Sequence, residues 1–438
     1  MANFDLTKKI RNKQARLGVI GLGYVGLPLA IHFKELGYQI NGFDIDEEKI
    51  KQLNNGESYI NHIQPDDISK LNTNGKFATS NFQEISNMDI IFVCVPTPID
   101  EQRNPYMGHL IDTAKSLSKY LSKGHLVLIE SSTYPGTTNE LIKPILEESG
   151  LICHKDFYLG YSPEREDPGN KNFNIKNISK VVGADDATSL KLSLEIYSKL
   201  TKTFPMKSSY EAEAVKLTEN IFRSINIALV NELKIIYDHM DIDVWNVIDG
   251  ASTKPFGFMP FYPGPGIGGH CIPVDPFYLT FKAREHSLAT KFIELAGDIN
   301  SSMPLHVVRK CQNHLNMAKK SLNGSKILVC GLAYKKNVDD MRESPSLEIM
   351  KLLTEFGAEI EYHDPYINKI PKLRNFQQFE NVDCTDISPE NLKDVDLTII
   401  CTDHDIVDYD TIVENSPLVI DTRNCLKTSQ YSKNVIKA

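Results

Sequence analysis

Short apolar runs alternate along the chain with segments whose apolar residues recur every three or four positions. That alternation predicts strands of a parallel sheet, each followed by a helix. The first strand begins at Arg16-Leu-Gly-Val-Ile, a helical pattern runs to Leu36-Gly37, and a second strand, Gln39 to Phe43, ends at Asp44. Further strand signals are Met88 to Pro98, His125 to Pro135, Phe157 to Tyr161 and Lys180 to Gly183, followed by a helix near 188–200. From Ser209 to Met240 the pattern is helical, with no proline or glycine. A helix of that length spans roughly 45 Å, long enough to join two domains. Helices are expected over 244–250 and 290–300, with helix resuming after Met303-Pro304 to about Lys320. Strand signals return at Ser325 to Cys330, Val395 to Cys401 and Pro417 to Asp421.

The third part of the chain repeats the first. Strand, Gly21-Leu-Gly-Tyr, helix, Glu35-Leu-Gly37, strand, Phe43-Asp44 is matched by strand, Gly331-Leu-Ala-Tyr, helix, Glu355-Phe-Gly357, strand, Tyr362-His-Asp364. The glycine fingerprint is lost in the second copy. The expected fold is therefore α/β, with two Rossmann-like doubly wound domains joined by a long central helix. The boundaries are 1–208 for the first nucleotide-binding domain, 209–305 for a central helical domain and 306–438 for the second.

Composition narrows the class. With 438 residues the chain is too long for a single core. A net charge of −9 argues against nucleic acid as the main partner, while leaving room for local basic pockets. The polar N-terminus has no apolar core of signal-peptide length, and no apolar run approaches the ~18 residues of a membrane span, so no membrane partner is expected. Eight cysteines form no C-x-x-C pair, which gives no zinc framework and no dense disulfide scaffold. A reducing, cytoplasmic compartment fits.

The candidate chemistry sits in the loops. Gly21-Leu22-Gly23-Tyr24-Val25-Gly26 lies between a strand and a helix, the context of a dinucleotide fingerprint. Gly21 makes the tight turn, Gly23 clears space for a pyrophosphate and Gly26 lets helix and strand pack. Asp44 is placed to bind the adenine ribose diol and to repel a 2′-phosphate, which favours NAD over NADP. Lys49 could reach the same ribose or simply lie on a solvated face. Thr97, Ser132 and Thr133 stand at carboxyl ends of strands, where cofactors bind; end-capping is the alternative. Ser162 to Gly169 is a polar loop carrying Glu164, Arg165, Glu166 and Asp167. Lys216 and Asn220 share one helix face, which in isolation reads as solvated. Between the helices, Phe261 to Pro276 packs four glycines and four prolines around Cys271, with Asp275 four residues on. A thiol on a stiff loop is a candidate nucleophile, or a cysteine in an ordinary connection. In the second copy, Lys335 and Lys336 stand where the first offers glycines, suited to a diphosphate or to solvent. Asp421-Thr-Arg423 ends another strand.

These motifs resemble the UDP-glucose/GDP-mannose dehydrogenase family, and within it the bacterial UDP-N-acetylglucosamine 6-dehydrogenases of surface-polysaccharide synthesis. The carriers span almost the whole chain: Gly21 to Gly26, Val95-Pro-Thr-Pro98, Glu130-Ser-Ser-Thr133, Tyr161 to Gly169, Gly266 to Asp275, Gly331 to Lys335 with Arg342-Glu-Ser344, and Asp421 to Arg423. The resemblance implies oxidation of a sugar C6 alcohol to a carboxylate with two NAD. It makes Cys271 the nucleophile of a thiohemiacetal and then a thioester. Lys216 and Asn220 would hold the oxyanion, Asp275 and Thr133 a water, and Glu164 would serve acid–base steps or thioester hydrolysis. Lys335 and Arg423 would hold the UDP diphosphate, and the stretch from Tyr262 through Gly264 to Gly268 would wrap the sugar and uridine. Arg342 would reach the dinucleotide. A homodimer is the expected assembly.

Two departures set this chain apart from UDP-glucose dehydrogenases proper. A second glutamate of the acidic loop falls on Pro168, so its role is vacant or moved to Glu166 or Asp167. His270 precedes Cys271 where that group has serine. Both resemble the N-acetylhexosamine branch, and Arg165 is placed for the N-acetyl side or a phosphate. The alternatives are the same chemistry on UDP-N-acetylmannosamine, UDP-N-acetylgalactosamine or UDP-glucose, a two-electron alcohol dehydrogenase, and a non-catalytic NAD/UDP-sugar sensor. The intact set Cys271, Lys216, Asn220 and Asp275 weighs against the sensor.

Overall fold

The structure is a computed structural model. It describes residues 2–60, 63–72, 76–100, 102–166, 175–269, 272–373, 375–426 and 434–438. Contacts group the chain into two compact units, 1–219 with 277–288, and 220–276 with 289–438.

The sheet of the first unit contains β1 (Arg16–Ile20), β2 (Gln39–Phe43), β3 (Ala78–Thr79), β4 (Ile90–Val93), β5 (Leu126–Ile129) and β6 (Tyr158–Tyr161). All are parallel, in the order β3-β2-β1-β4-β5-β6. This is the Rossmann order, with its topological switch between β1 and β4. Every residue of β4 and β5 is buried, which is why these strands read as unbroken apolar runs. The strand at Lys180 does not join this sheet by a ladder. As β7 (Lys180–Val182) it pairs in parallel with β8 (Thr203–Pro205). The polar N-terminal lead contains a helix, Ala2–Arg11, that puts Leu6 and Ile10 into the core.

The sheet of the second unit contains β9 (Lys326–Cys330), β10 (Glu359–His363), β11 (Leu397–Ile400), β12 (Val419–Asp421) and β13 (Val435–Lys437), again all parallel. Its order, β10-β9-β11-β12-β13, is the other common doubly wound arrangement.

The repeat seen in the sequence is repeated in bond geometry. The Gly21 N–H donates to Phe43 O at 2.8 Å, and the Gly331 N–H to His363 O at 2.8 Å. Both glycines have left-handed backbones, with φ of +86° and +87°. Asp44 Oδ2 accepts the Leu22 N–H at 2.8 Å, while Asp364 Oδ2 accepts the Leu332 and Ala333 N–H groups at 2.7 and 2.9 Å. In each copy, an aspartate ending the second strand fastens the loop after the first.

The long helix is Ser209–Asp238, continuous across the boundary between units. Its polar side is not solvated. Ser209, Glu213, Lys216, Asn220, Ser224 and Asn231 form a stripe at helical spacing, and all are buried. Two proline signals were misleading. Lys291–Met317 is one helix with Pro304 inside it, where a break was expected. The Asn300 carbonyl and the Pro304 ring both border Gly266, so glycine-loop backbone occupies the ground next to the interrupted ladder. Asp275–Glu285 is helical although Pro276 reads as loop, because proline is tolerated in a helix's first turn.

Candidate active site

In the first unit the glycine loop fits a dinucleotide. A Cβ on Gly26 would lie 2.0 Å from Gly21 O, so only glycine lets helix and loop touch. A Cβ on Gly23 would meet nothing within 4 Å, leaving open space beside the loop. The helix Gly26–Glu35 starts at Val25 with no side-chain cap, which suits a bound pyrophosphate at its N-terminus. Tyr24 and Val25 are half-buried and pack against the core. Asp44 is nearly buried. Besides the Leu22 N–H it accepts the Asp46 N–H at 3.0 Å, so it shapes the loop it would serve. Lys49 pairs with Asp46 at 3.7 Å and lies over the Tyr59 ring. Thr97 Oγ1 donates to Ser132 O at 2.7 Å, which joins two of the strand-end loops.

Thr133 is fully buried, and its hydroxyl faces a residue that sequence reasoning missed. Glu213 accepts from Thr133 Oγ1 at 3.4 Å, from the Gly136 and Thr138 N–H groups at 2.6 and 2.8 Å, and from Thr138 Oγ1 at 2.7 Å. Burial pushes Glu213 up to about 7, against the pull of those donors. The signal was available, since Glu213 shares the helix stripe of Lys216 and Asn220.

Glu164 is held from several sides. Its Oε1 accepts the Arg165 and Glu166 N–H groups at 2.7 and 2.6 Å. Its carbonyl accepts Lys216 Nζ. Burial alone would raise Glu164, but Lys180 first, then the Glu166 N–H, Lys216 and the Arg165 N–H, hold it below the usual glutamate range. Arg165 donates to Glu219 at 2.5 and 3.2 Å and to Ser179 O at 2.6 Å, tying the acidic loop to the long helix. Those three bonds leave at most two of its five N–H donors for a ligand. Glu166 is pushed up to about 7 by burial and by the charge of Glu164. Asp167, Pro168, His270 and Cys271 lie outside the described residues.

In the second unit, Asn220 Nδ2 donates to Asp275 Oδ2 at 2.5 Å, with both side chains buried. The glycine loop is pinned by Asn231, whose Oδ1 accepts the Gly264 N–H at 3.1 Å and whose Nδ2 donates to Asn300. A Cβ on Gly264 would meet Arg423 Nη1 at 2.8 Å, and one on Gly268 would meet Tyr334 at 2.6 Å. Tyr262 is half-exposed and donates its hydroxyl to Asp249 at 2.6 Å. Arg423 Nε donates to Cys401 O at 2.7 Å. Lys336 pairs with Asp405 at 2.7 Å, whereas Lys335 is half-buried. Arg342 is fastened to Asp340 by two bonds at 2.9 and 2.6 Å. Asn337, Glu343 and Asn424, each just after one of these cations, have φ of +61°, +51° and +55°. Left-handed non-glycine residues of this kind gather where loops are held for a ligand.

Three successive parts of the chain match models of one family. Residues 15–201 match the NAD binding domain of the UDP-glucose/GDP-mannose dehydrogenase family, 210–302 its central domain and 328–428 its UDP binding domain. The chain belongs to that family. This dehydrogenase is 35% identical to "Protein CapL" of Staphylococcus aureus over 95% of its own length and 97% of the relative's. It is 37% identical to a UDP-N-acetyl-D-glucosamine 6-dehydrogenase of Pseudomonas aeruginosa, over 81% and 84%. Among solved structures, the UDP-D-ManNAc dehydrogenase of Pyrococcus horikoshii superposes with a TM-score of 0.86 at 30% identity, covering 96% and 98%. The dehydrogenase therefore uses NAD, and its second Rossmann-type sheet carries the UDP-binding part. Among the described residues, no helix is long and apolar enough to cross a membrane.

Proposed function

We propose that this enzyme oxidises UDP-N-acetyl-D-glucosamine at C6 to the uronic acid through Cys271, supplying a surface polysaccharide from the cytoplasm. The observation that carries the chemistry is the oriented set on one helix. Lys216 is bonded to the acidic loop, and Asn220 is bonded to Asp275 at the start of its helix. Two molecules of NAD, bound one after the other, would supply the hydride acceptors, so each four-electron oxidation gives two NADH. The Cys271 thiolate adds to the aldehyde, which keeps it bound and makes it a better hydride donor. Lys216 and Asn220 donate to the oxyanion that develops. Asp275, Thr133 and Glu164 orient and deprotonate the water that releases the acid.

Support for the N-acetylglucosamine substrate comes from identity. Two UDP-N-acetyl-D-glucosamine 6-dehydrogenases match at 37% and 36%, against 30–32% for the UDP-N-acetyl-D-mannosamine dehydrogenases. The mannosamine epimer is the second reading, favoured by the TM-score of 0.86 to an enzyme of that name. A panel of UDP-sugars with NAD, followed by NADH absorbance, decides between them. Two NADH per UDP-N-acetylglucosamine, with slower turnover of its epimers, is the expected result.

A homodimer is part of the proposal. Phe222, Leu229 and Ile236, seven residues apart on the long helix, are exposed and form an apolar line suited to a second copy. Light scattering on the eluting protein tests it.

A further inference from the structure

Behind Glu164 of the acidic loop lies a buried group, Lys180, Glu130 and Tyr197, with no place yet in the reaction. Lys180, the first residue of β7, donates to Glu130 Oε2 at 2.5 Å and to Pro163 O at 3.4 Å. The same ammonium is 3.5 Å from Glu164 Oε2. The other oxygen of Glu130 accepts the Tyr197 hydroxyl at 2.6 Å. The Tyr197 ring lies under the ammonium, 5.2 Å from its centroid. The Lys180 side chain is 4% exposed, Glu130 is fully sealed, and Glu164 is 14% exposed. Burying such ions is costly, and well-packed apolar residues would serve stability as well or better. The arithmetic of the cluster suggests a different purpose. Two carboxylates share one ammonium. Both carboxylates have donors on each oxygen, but Glu130 is sealed and Glu164 is the more exposed, so the ammonium joins a buried anchor to a carboxylate that solvent can reach.

We propose that Lys180, fixed from behind by Glu130 and Tyr197, is a positioning residue that holds Glu164 as an oriented carboxylate, the form that accepts a proton. This rests on the reading that Glu164 acts in the proposed reaction. In the hydrolytic step, water oxygen adds to the thioester carbon and the C–S bond breaks. Sulfur leaves as the Cys271 thiolate. One water proton passes to Glu164, and the other is lost as the new carboxylic acid ionises. A protonated Glu164 could not take that proton. The remaining charged or titratable neighbours are Cys94 beyond β4, Lys216 and Glu219 on the long helix, His32 on Gly26–Glu35, and Arg165 and Glu166 in the loop itself. Burial opposes the charge on Lys180, but the two carboxylates win and raise it, so it stays an ammonium.

The test uses opposite signs. Glu130→Gln removes the competing carboxylate, so Lys180 serves Glu164 alone and the Glu164 midpoint falls. Lys180→Met/Glu130→Gln removes the pair together, leaves no orphaned ion between them, and raises that midpoint by about 1 pH unit or more. Lys180→Arg keeps the charge and stays near the parent. The midpoint is read by NMR on protein labelled with [5-13C]glutamate, the signal being assigned by its loss in Glu164→Gln. The acidic limb of kcat for NADH formation is expected to follow it. Midpoints that do not move, or that move the same way in both variants, overturn the proposal. Midpoints that move while the acidic limb stays put overturn the use of this carboxylate in turnover, and the proposal with it. Failure to form NADH from any UDP-sugar would overturn the proposed function instead, and the NMR titration would still decide what Lys180 does.

Discussion

Asn220 Nδ2 sits 2.5 Å from Asp275 Oδ2, while the same amide's oxygen accepts Arg223 Nη2 at 3.1 Å. The amide is therefore oriented from both ends, and its carbonyl and amino groups cannot exchange places without breaking both bonds. Asp275→Asn keeps the shape and removes the charge. We expect kcat to fall by roughly two to three orders of magnitude, with KM for the UDP-sugar changing far less. Steady-state NADH formation measures it, and a loss of less than tenfold would take this pair out of the chemistry.

Two glycines of one fingerprint are expected to fail differently. Gly26→Ala drives a methyl group to 2.0 Å from Gly21 O, so it should cost at least ~2 kcal/mol of stability. Gly23→Ala meets nothing in the protein, so its melting temperature should stay near the parent's while NAD binding weakens. Calorimetric melting with NAD titration separates the two. A Gly23→Ala protein that binds NAD normally would remove the pyrophosphate from that side of the loop.

Glu213 gives a pH dependence with a definite sign. Its folded value, about 7, lies above the ordinary 4.5, so the folded chain binds the extra proton. That stabilisation is complete below about 4.5 and is lost as pH rises through about 7. Glu213→Gln should flatten the slope of urea-unfolding free energy between pH 5 and 8 by roughly 1–3 kcal/mol. Equal slopes in parent and variant would show that Glu213 is ionised throughout.

Much of the fold was legible because burial on both faces of a parallel sheet writes itself as apolar runs, as in β4 and β5. Both glycine turns and the long helix were legible for equally local reasons. What could not be read was long-range pairing of polar groups. Lys180 and Glu130 are 50 residues apart, and nothing in the sequence pairs them until the fold brings them together. The buried stripe of the long helix has the spacing of a solvated face, and periodicity cannot distinguish the two. Pro276 and Pro304 misled because proline's cost depends on its place in a helix turn and on what borders the freed carbonyl.

The paired lysines after β9 should also separate. Lys336 is held by Asp403 and Asp405, at 3.5 and 2.7 Å on an exposed surface. Such a pair contributes about 0–1 kcal/mol, so Lys336→Ala should be nearly silent. Lys335→Ala should raise KM for the UDP-sugar by about 10- to 100-fold, through loss of a charge-assisted contact to the diphosphate. Initial rates at varied UDP-sugar measure both. Equal effects would return the diphosphate contact to the pair as a whole.

The polar stripe from Glu213 to Asn231 also makes the length of this helix unusually strict. One residue inserted or deleted turns everything beyond it by about 100°. An insertion between Asn220 and Asn231 would put the two amides on different faces, so that Asn220 could not hold Asp275 while Asn231 holds the Gly264 N–H. Point substitutions on the exposed side would be absorbed, while a change of a single residue in length would disarm the site. The helix works as a ruler, and natural variants of this chain are expected to vary in its letters but not in its count.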